Sequence, residues 1–248
     1  MRVIRLKGHS GCKVELIGDR VRKTSKSESY NPRLEAQILK QREFSSNKLR
    51  TPEILETGYD DSNLFFAEME YIAGHKGSEF LTFASPDQIS WFFSSIGDFI
   101  DDNLTEVPID ARDTVINKCS EIEGFPMGEI SSFNWDIDCG YCHGDFTLEN
   151  MIVFNSEIYL VDFLDSYFES PLIDASKLLQ DGFFGWSYRH YSPVPIHSMV
   201  ALVEKYSSPI TDFLTLINLY RIIPYSDDGT KKIVWGWINW LKPKINPH

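Results

Sequence analysis

The chain has 248 residues, of which 42% are hydrophobic and 24% are charged, a composition typical of a globular protein with a substantial core. Its formal net charge of -12 argues against a general affinity for nucleic acid or anionic membranes, because such binding depends on clustered Lys and Arg. Charges interrupt the first residues and no apolar run approaches the ~20 residues of a membrane span, so we expect a cytoplasmic protein.

The first 74 residues are predicted to form a nucleotide-binding lobe made of a small antiparallel sheet and one helix. Asn31-Pro32 supplies an N-cap residue and a first-turn proline, which predict a helix from Asn31 through Phe44. β-prone runs separated by turn residues predict five strands, at 3–6, 12–17, 20–24, 54–59 and 64–71.

Residues 75–248 are predicted to form a mainly helical lobe. Ser85-Pro-Asp-Gln88 has the pattern of a capping box, and an apolar stripe follows it at helical spacing. The predicted helices span 85–100, 111–123, 172–180, 197–206, 209–223 and 230–241, with Trp235, Trp237 and Trp240 assigned to the core. The only strands predicted here form a hairpin, 151–154 and 158–163, so the predicted fold class is α+β with two lobes.

Four cysteines occur, and we expect reduced thiols because their spacing shows no disulfide framework. Cys139-Gly-Tyr-Cys142-His143 matches both a redox and a haem-attachment pattern. A redox motif should open a helix, whereas a strand-like segment soon follows here, so we interpret the match as a coincidence.

The residues with the clearest chemistry are His143-Gly-Asp145-Phe-Thr-Leu-Glu-Asn150 and, beyond the hairpin, Asp162. Phosphoryl transfer requires an acceptor hydroxyl in line with the phosphate, and Mg²⁺ on the phosphate oxygens. Asp145 can accept the hydrogen bond of an attacking hydroxyl, while Asn150 and Asp162 offer the hard oxygen ligands that Mg²⁺ prefers. The hairpin returns the chain on itself, so Asn150 and Asp162 are predicted to lie side by side.

This segment resembles the Brenner-type motif of the aminoglycoside phosphotransferase and choline kinase family, relatives of the protein kinases. The resemblance extends over most of the chain and implies a bilobal protein-kinase-like fold. It also implies an ATP- and Mg²⁺-dependent kinase of a small-molecule hydroxyl, with GTP as a possible donor. On the same grounds Asp174 is interpreted as a structural residue that buttresses the catalytic loop.

The resemblance also assigns a nucleotide site. Gly8 and Gly11 would form the phosphate-binding turn, and backbone groups from Glu70 to Ile72 would receive the adenine. Lys23 resembles the lysine that binds the α- and β-phosphates, and Glu35 its ion-pair partner. Lys26 and Glu43 are the alternative assignments for that pair.

Only eleven residues separate Asp162 from Asp174, too few for the long segment on which protein kinases bind a peptide, which favours a small acceptor. Two alternatives stay open: a non-catalytic nucleotide-binding scaffold, and a kinase that acts on protein. The acceptor, a sugar, an amino alcohol or an aminoglycoside, is not determined, and neither is the oligomeric state. Contacts of Asp165, Glu169 and the aromatic residues of 181–188 with substrate are equally open.

Overall fold

The computed structural model describes residues 3–6, 12–105, 107–189, 200 and 203–245. The chain divides into two compact units. The first comprises Met1–Gly77 and Asn150–Asp165, and the second Ser78–Glu149 and Ser166–His248.

The strands in chain order are β1 (Val3–Leu6), β2 (Cys12–Ile17), β3 (Arg20–Ser25), β4 (Leu49–Arg50), β5 (Ile54–Tyr59), β6 (Phe65–Glu70), β7 (His75–Lys76), β8 (Pro108–Asp110), β9 (Asp136–Asp138), β10 (Met151–Phe154) and β11 (Glu157–Leu160). The helices are α1 (Asn31–Glu43), α2 (Gly77–Phe80), α3 (Pro86–Asn103), α4 (Arg112–Ser120), α5 (Pro171–Phe184), α6 (Pro209–Ile222) and α7 (Asp228–Ile245).

The first unit is built on an antiparallel sheet in the order β1-β2-β3-β6-β5, over which α1 packs. Leu34 and Ile38, one turn apart on α1, join Ala67 and Met69 of β6 in a buried core. Asn31 differs from the prediction, because its side chain does not cap the helix. It accepts a hydrogen bond from the Phe65 amide and donates one to the Asn63 carbonyl, which ties α1 to the β5–β6 turn.

A second sheet, in the order β4-β11-β10-β7, also belongs to the first unit. β10 pairs with β7, and β11 pairs with β4, so the hairpin joins the first unit and not the helical one. This corrects the predicted boundary at residue 74. Glycine at position 74 allows this segment to approach β10 closely, because a Cβ at this position would lie 2.3 Å from the Val153 carbonyl oxygen.

In the second unit α5 packs against α3 and α6, and α6 packs against α7. Phe213 of α6 lies at the centre of an aromatic cluster, with ring centroids 4.8 Å from Phe133 and 5.2 Å from Trp135. The antiparallel pair of β8 and β9 also lies in this unit, so the expectation that the hairpin supplies its only strands is wrong. Both strands have three residues, too short to show an alternating pattern in the sequence.

The core face of α7 is not the predicted tryptophan face. Val234, Ile238 and Leu241 are fully buried at helical spacing, whereas Trp235 and Trp240 are 42% and 45% exposed. Trp237 is half-buried and stacks on Phe184 with ring centroids 4.9 Å apart.

The other predicted helices agree to within a few residues, except that α4 is shorter than 111–123, while α5 and α7 are longer than the predicted 172–180 and 230–241. The helix predicted at 197–206 lies largely outside the described residues. Within the described ranges, none of the helices has the length and apolar character needed to cross a membrane. The α+β class is confirmed, with an antiparallel sheet and one helix followed by a mainly helical part.

Candidate active site

The loop that carries Asp145 is fixed at its start by a buried carboxylate of α5. Asp174 is fully buried and accepts hydrogen bonds from the amides of His143, at 2.6 Å, and Gly144, at 2.8 Å. Gly144 has a φ of 90°, a conformation that side chains rarely adopt. The predicted role of Asp174 as a buttress of this loop is confirmed.

The rest of the loop is held in a similar way. The Asp145 amide donates to Nδ1 of His143 at 3.2 Å, and the Thr147 amide donates to the Asp145 carbonyl at 2.8 Å. The Leu148 amide then donates to the carboxylate of Asp181 at 2.9 Å. The sequence did not predict this role for Asp181, although its position seven residues after Asp174 on α5 was a usable signal.

The Asp145 carboxylate forms an ion pair with Lys177 of α5, with 3.0 Å between Oδ1 and Nζ. The Lys177 side chain is 12% exposed and that of Asp145 is 28% exposed. A partly exposed carboxylate on a fixed loop can still meet a substrate, which suits a general base. Lys177 was not predicted, and only its place three residues after Asp174 pointed to it.

Helix α5 has defined ends, which place these three side chains. Ser170 caps its start by accepting a hydrogen bond from the Leu172 amide, and its hydroxyl donates to the Asp138 carbonyl at 2.6 Å. Gly185 ends it with a φ of 61°, and its amide donates to the Asp181 carbonyl at 2.7 Å.

In the first unit, the hairpin brings the chain on either side of it together. Asn155 and Ser156 both have positive φ, as a two-residue hairpin turn requires, and Met151 pairs with Leu160. At the open end the Val161 amide donates to the Asn150 carbonyl at 3.0 Å. Asp162 follows directly, so the register supports the predicted neighbourhood of Asn150 and Asp162.

Asp162 has a φ of 63°, which is uncommon for a residue with a side chain and costs about 1–2 kcal/mol. Its carboxylate forms an ion pair with the buried ammonium of Lys23 on β3. Burial alone would lower the pKa of Lys23, but the charge and hydrogen bond of Asp162 outweigh it and the net pKa is raised. Lys23 is therefore a cation at neutral pH.

Glu35 is a correction, because it is not the ion-pair partner of Lys23. It accepts a hydrogen bond from the Tyr59 hydroxyl, which raises the pKa of Tyr59, while Lys23 pairs with Asp162. The alternatives Lys26 and Glu43 are both exposed, unlike Lys23. The physical reason is local: Asp162 faces the buried Lys23 directly, so its carboxylate compensates that charge.

The donor chemistry of the hairpin end fits a magnesium ion. Asp162 offers a carboxylate whose side chain is 43% exposed, and Asn150 offers an amide oxygen on a half-buried residue. Both are hard oxygen donors, and Mg²⁺ is usually held by one or two such groups together with phosphate oxygens. Asp162 also binds a cation of the protein itself, the Lys23 ammonium.

The strand predicted to receive adenine ends at Glu70, and Ile72 beyond it is buried. The Glu70 amide donates to the Glu53 carbonyl at 3.0 Å, so this amide is already used within the first unit. Ile72 makes no backbone hydrogen bond within the described ranges, which leaves it as the better candidate for a nucleobase contact. Gly8 and Gly11 lie outside the described residues.

The remaining candidates have local partners. Asp165 accepts from Arg33 at 3.1 Å within the first unit. Glu169 accepts from the thiol of Cys142 at 3.3 Å within the second. Cys139 and Cys142 are free cysteines, as expected from the sequence, and Cys142 is buried.

Comparison by sequence finds no matching family model and no matching curated protein. Solved structures do match over almost the whole chain. The apo form of a thermostable mutant of the aminoglycoside phosphotransferase APH(4)-Ia is 15% identical with a TM-score of 0.62, covering 99% of this chain and 94% of that chain. The GDP and kanamycin complex of APH(2")-IIia is 16% identical with a TM-score of 0.63, covering 98% and 91%.

A ternary complex of APH(4)-Ia with AMP-PNP and hygromycin B gives 15% identity and a TM-score of 0.62, covering 98% of this chain and 92% of that chain. These likenesses span the sheet, the hairpin and the helical part together. The chain therefore has the protein-kinase-like fold of the aminoglycoside phosphotransferases.

Proposed function

We propose that this chain transfers the terminal phosphate of a nucleoside triphosphate to a hydroxyl group of a small molecule. The observation that carries the proposal is the partly exposed carboxylate of Asp145, on a loop whose amides are held by two buried aspartates of α5. A base must be held in place to act on a hydroxyl, because small displacements of a reacting group cost large factors in rate.

In the proposed reaction the acceptor oxygen bonds to the terminal phosphorus as the bond to the bridging oxygen breaks. The hydroxyl proton passes to the Asp145 carboxylate, and nucleoside diphosphate leaves. Lys177 orients Asp145 through the ion pair at Oδ1 and offsets part of its negative charge near the phosphates.

On the nucleotide side, Lys23 would bind phosphate oxygens and the backbone at Ile72 would meet the base. Asn150 and Asp162 would hold Mg²⁺, which neutralises charge on the phosphate oxygens when bound. Two of the similar solved structures hold GDP or AMP-PNP, so both ATP and GTP are donors to be tested.

The proposed acceptor classes are aminoglycosides, amino alcohols and sugars. Two of the similar structures hold kanamycin or hygromycin B, and the net charge of -12 attracts cationic acceptors in general. Only eleven residues separate Asp162 from Asp174, which favours a small acceptor over a peptide.

The proposal is tested by incubating the chain with Mg²⁺, ATP or GTP, and a panel of these acceptors plus a generic protein substrate, with phosphorylated product detected by mass spectrometry. Asp162→Asn is the negative control, because Asn tolerates the positive φ of this position and has the same shape as Asp but lacks its charge. Product formed by the wild type and lost in this variant supports the proposal. Phosphorylated protein with no small product would replace it with a protein kinase, and nucleotide binding without any product would favour a scaffold.

A further inference from the structure

Asp181 lies two helical turns beyond Asp174 on α5. Seven residues correspond to about 1.9 turns, so the two side chains lie on the same side of the helix. Asp174 binds the first amides of the loop, and Asp181 binds the Leu148 amide at its other end. The loop that carries Asp145 is thus held at both ends by one helix.

Both oxygens of Asp181 are used. Oδ2 accepts from the Leu148 amide at 2.9 Å, and Oδ1 accepts from the Ser187 amide at 2.6 Å. The residue is 1% exposed and, within the described ranges, forms no ion pair with Lys or Arg. A buried carboxylate without a cation is costly, and here the hydrogen bonds from the Leu148 and Ser187 amides offset part of that cost.

We propose that Asp181 is a positioning residue for the phosphotransfer reaction: it fixes the end of the Asp145 loop by binding the Leu148 amide, and joins that loop to Ser187, beyond the end of α5. This inference rests on the proposed function for its catalytic consequence, although the fixing of the loop is independent of it. The carboxylate is suited to the role because one charged group can accept hydrogen bonds from two separate amides.

The ionisation state of Asp181 gives the role a measurable signature. Burial raises the pKa of Asp181 to about 6, although the amides of Leu148 and Ser187 oppose the shift. Among the described residues, the titratable groups that influence the pKa of Asp181 are Glu149, in the 3-10 helix Leu148–Asn150 at the end of the loop, and Tyr188, in the 3-10 helix Trp186–Tyr188 after α5. Protonation of Asp181 below pH 6 makes its carboxyl group a weaker acceptor, so the hydrogen bond from the Leu148 amide should weaken as the pH falls.

The test compares the wild type with Asp181→Asn, which keeps the shape but has one oxygen where the carboxylate has two. Asp212→Asn is the matched control, because Asp212 is a buried aspartate of α6 whose pKa is also raised, mainly by burial, and which hydrogen-bonds to Ser207. Amide hydrogen exchange across residues 143–150 reports the loop directly. Rates measured from pH 5 to 8 with an acceptor found in the panel report the catalytic consequence.

We expect Asp181→Asn to speed exchange at the Leu148 amide and to lower kcat by about tenfold at pH 7.5, with KM for the nucleotide within about twofold. The ratio of wild-type to variant kcat should shrink below pH 6, where the wild-type carboxylate is protonated. Asp212→Asn should show none of these changes. Unchanged loop exchange or unchanged kcat in Asp181→Asn would overturn the proposal.

Two further outcomes are separable. If the wild type phosphorylates no acceptor, the proposed function fails, while the exchange measurement still decides whether Asp181 fixes the loop. If Asp181→Asn does not fold, amide exchange of the wild type is compared at pH 5 and pH 7.5 after correction for intrinsic exchange rates. Weaker protection of the Leu148 amide at pH 5 supports the proposal. Equal protection at the two pH values refutes it.

Discussion

Lys177 places its ammonium 3.0 Å from the Asp145 carboxylate and is largely buried in doing so. Replacing it with Met removes the charge and the orienting contact but keeps the length of the side chain. We expect Lys177→Met to lower kcat by about 10- to 100-fold with little change in KM for the nucleotide, and Lys177→Arg to recover part of the loss.

Lys205→Met is the matched control for this prediction. Lys205 forms an ion pair with Asp101 at 2.5 Å in the same unit, but both side chains are 48% exposed. Its loss should leave kcat unchanged. Wild-type kcat in Lys177→Met would show that the ion pair with Asp145 has no part in the reaction.

The residues named from sequence differ in how well spacing could identify them. Asp145, Asn150 and Asp162 form a rare combination around a hairpin, so their pattern was visible without a structure. Lys177 and Asp181 were not found, because their roles depend on which face of α5 meets the loop. A single lysine or aspartate in a helix is otherwise an ordinary surface residue.

The ion pair of Lys23 also could not be predicted correctly from the sequence. A family resemblance implied Glu35 as its partner, whereas the hairpin places Asp162 next to the ammonium. Strand and helix positions were predictable, but the side chain that compensates a buried charge depends on three-dimensional packing.

Gly74 lies so close to β10 that a Cβ at this position would be 2.3 Å from the Val153 carbonyl oxygen. Gly74→Ala should therefore destabilise the first unit by about 1–3 kcal/mol, measured by urea unfolding. Gly236→Ala is the control: Gly236 lies within α7 with open space around its Cα, so alanine should stabilise that helix by up to ~1 kcal/mol. Equal stability of Gly74→Ala and the wild type would show that the segment can move away from β10.

The elements found from sequence are those long enough to show a period. β2, β5 and α1 were predicted within a residue of their observed ends, because alternation or helical spacing persists through them. β4, β7, β8 and β9 were missed, since two or three residues carry no period. The missing β4 and β7 also explain why the hairpin was assigned to the wrong unit.

Buried carboxylates should shape the stability of the whole molecule. Because the folded-state pKa of Asp181 is about 6 and its ordinary value is 3.8, the folded protein binds this proton more tightly than the unfolded chain does. Its contribution therefore becomes less favourable as the pH rises from about 4 through 6, by roughly 2–3 kcal/mol. Asp212, whose pKa is also raised, acts in the same direction.

Unfolding free energies at pH 4.5 and 7.5 test this effect. Asp181→Asn should remove most of the change in unfolding free energy between the two pH values that comes from Asp181. The variant should therefore gain stability relative to the wild type as the pH rises. Parallel pH dependence in the two proteins would mean that Asp181 titrates normally.

The central claim is that Asp145 is the base of a phosphotransfer reaction, and one rate ratio tests it most directly. With an acceptor from the panel, kcat is measured for the wild type, for Asp145→Asn, and for Asp165→Asn as the exposed control that pairs with Arg33. We predict that Asp145→Asn lowers kcat by at least about 10²-fold while nucleotide affinity is kept, and that Asp165→Asn stays near the wild type. An Asp145→Asn variant with wild-type kcat would contradict the account.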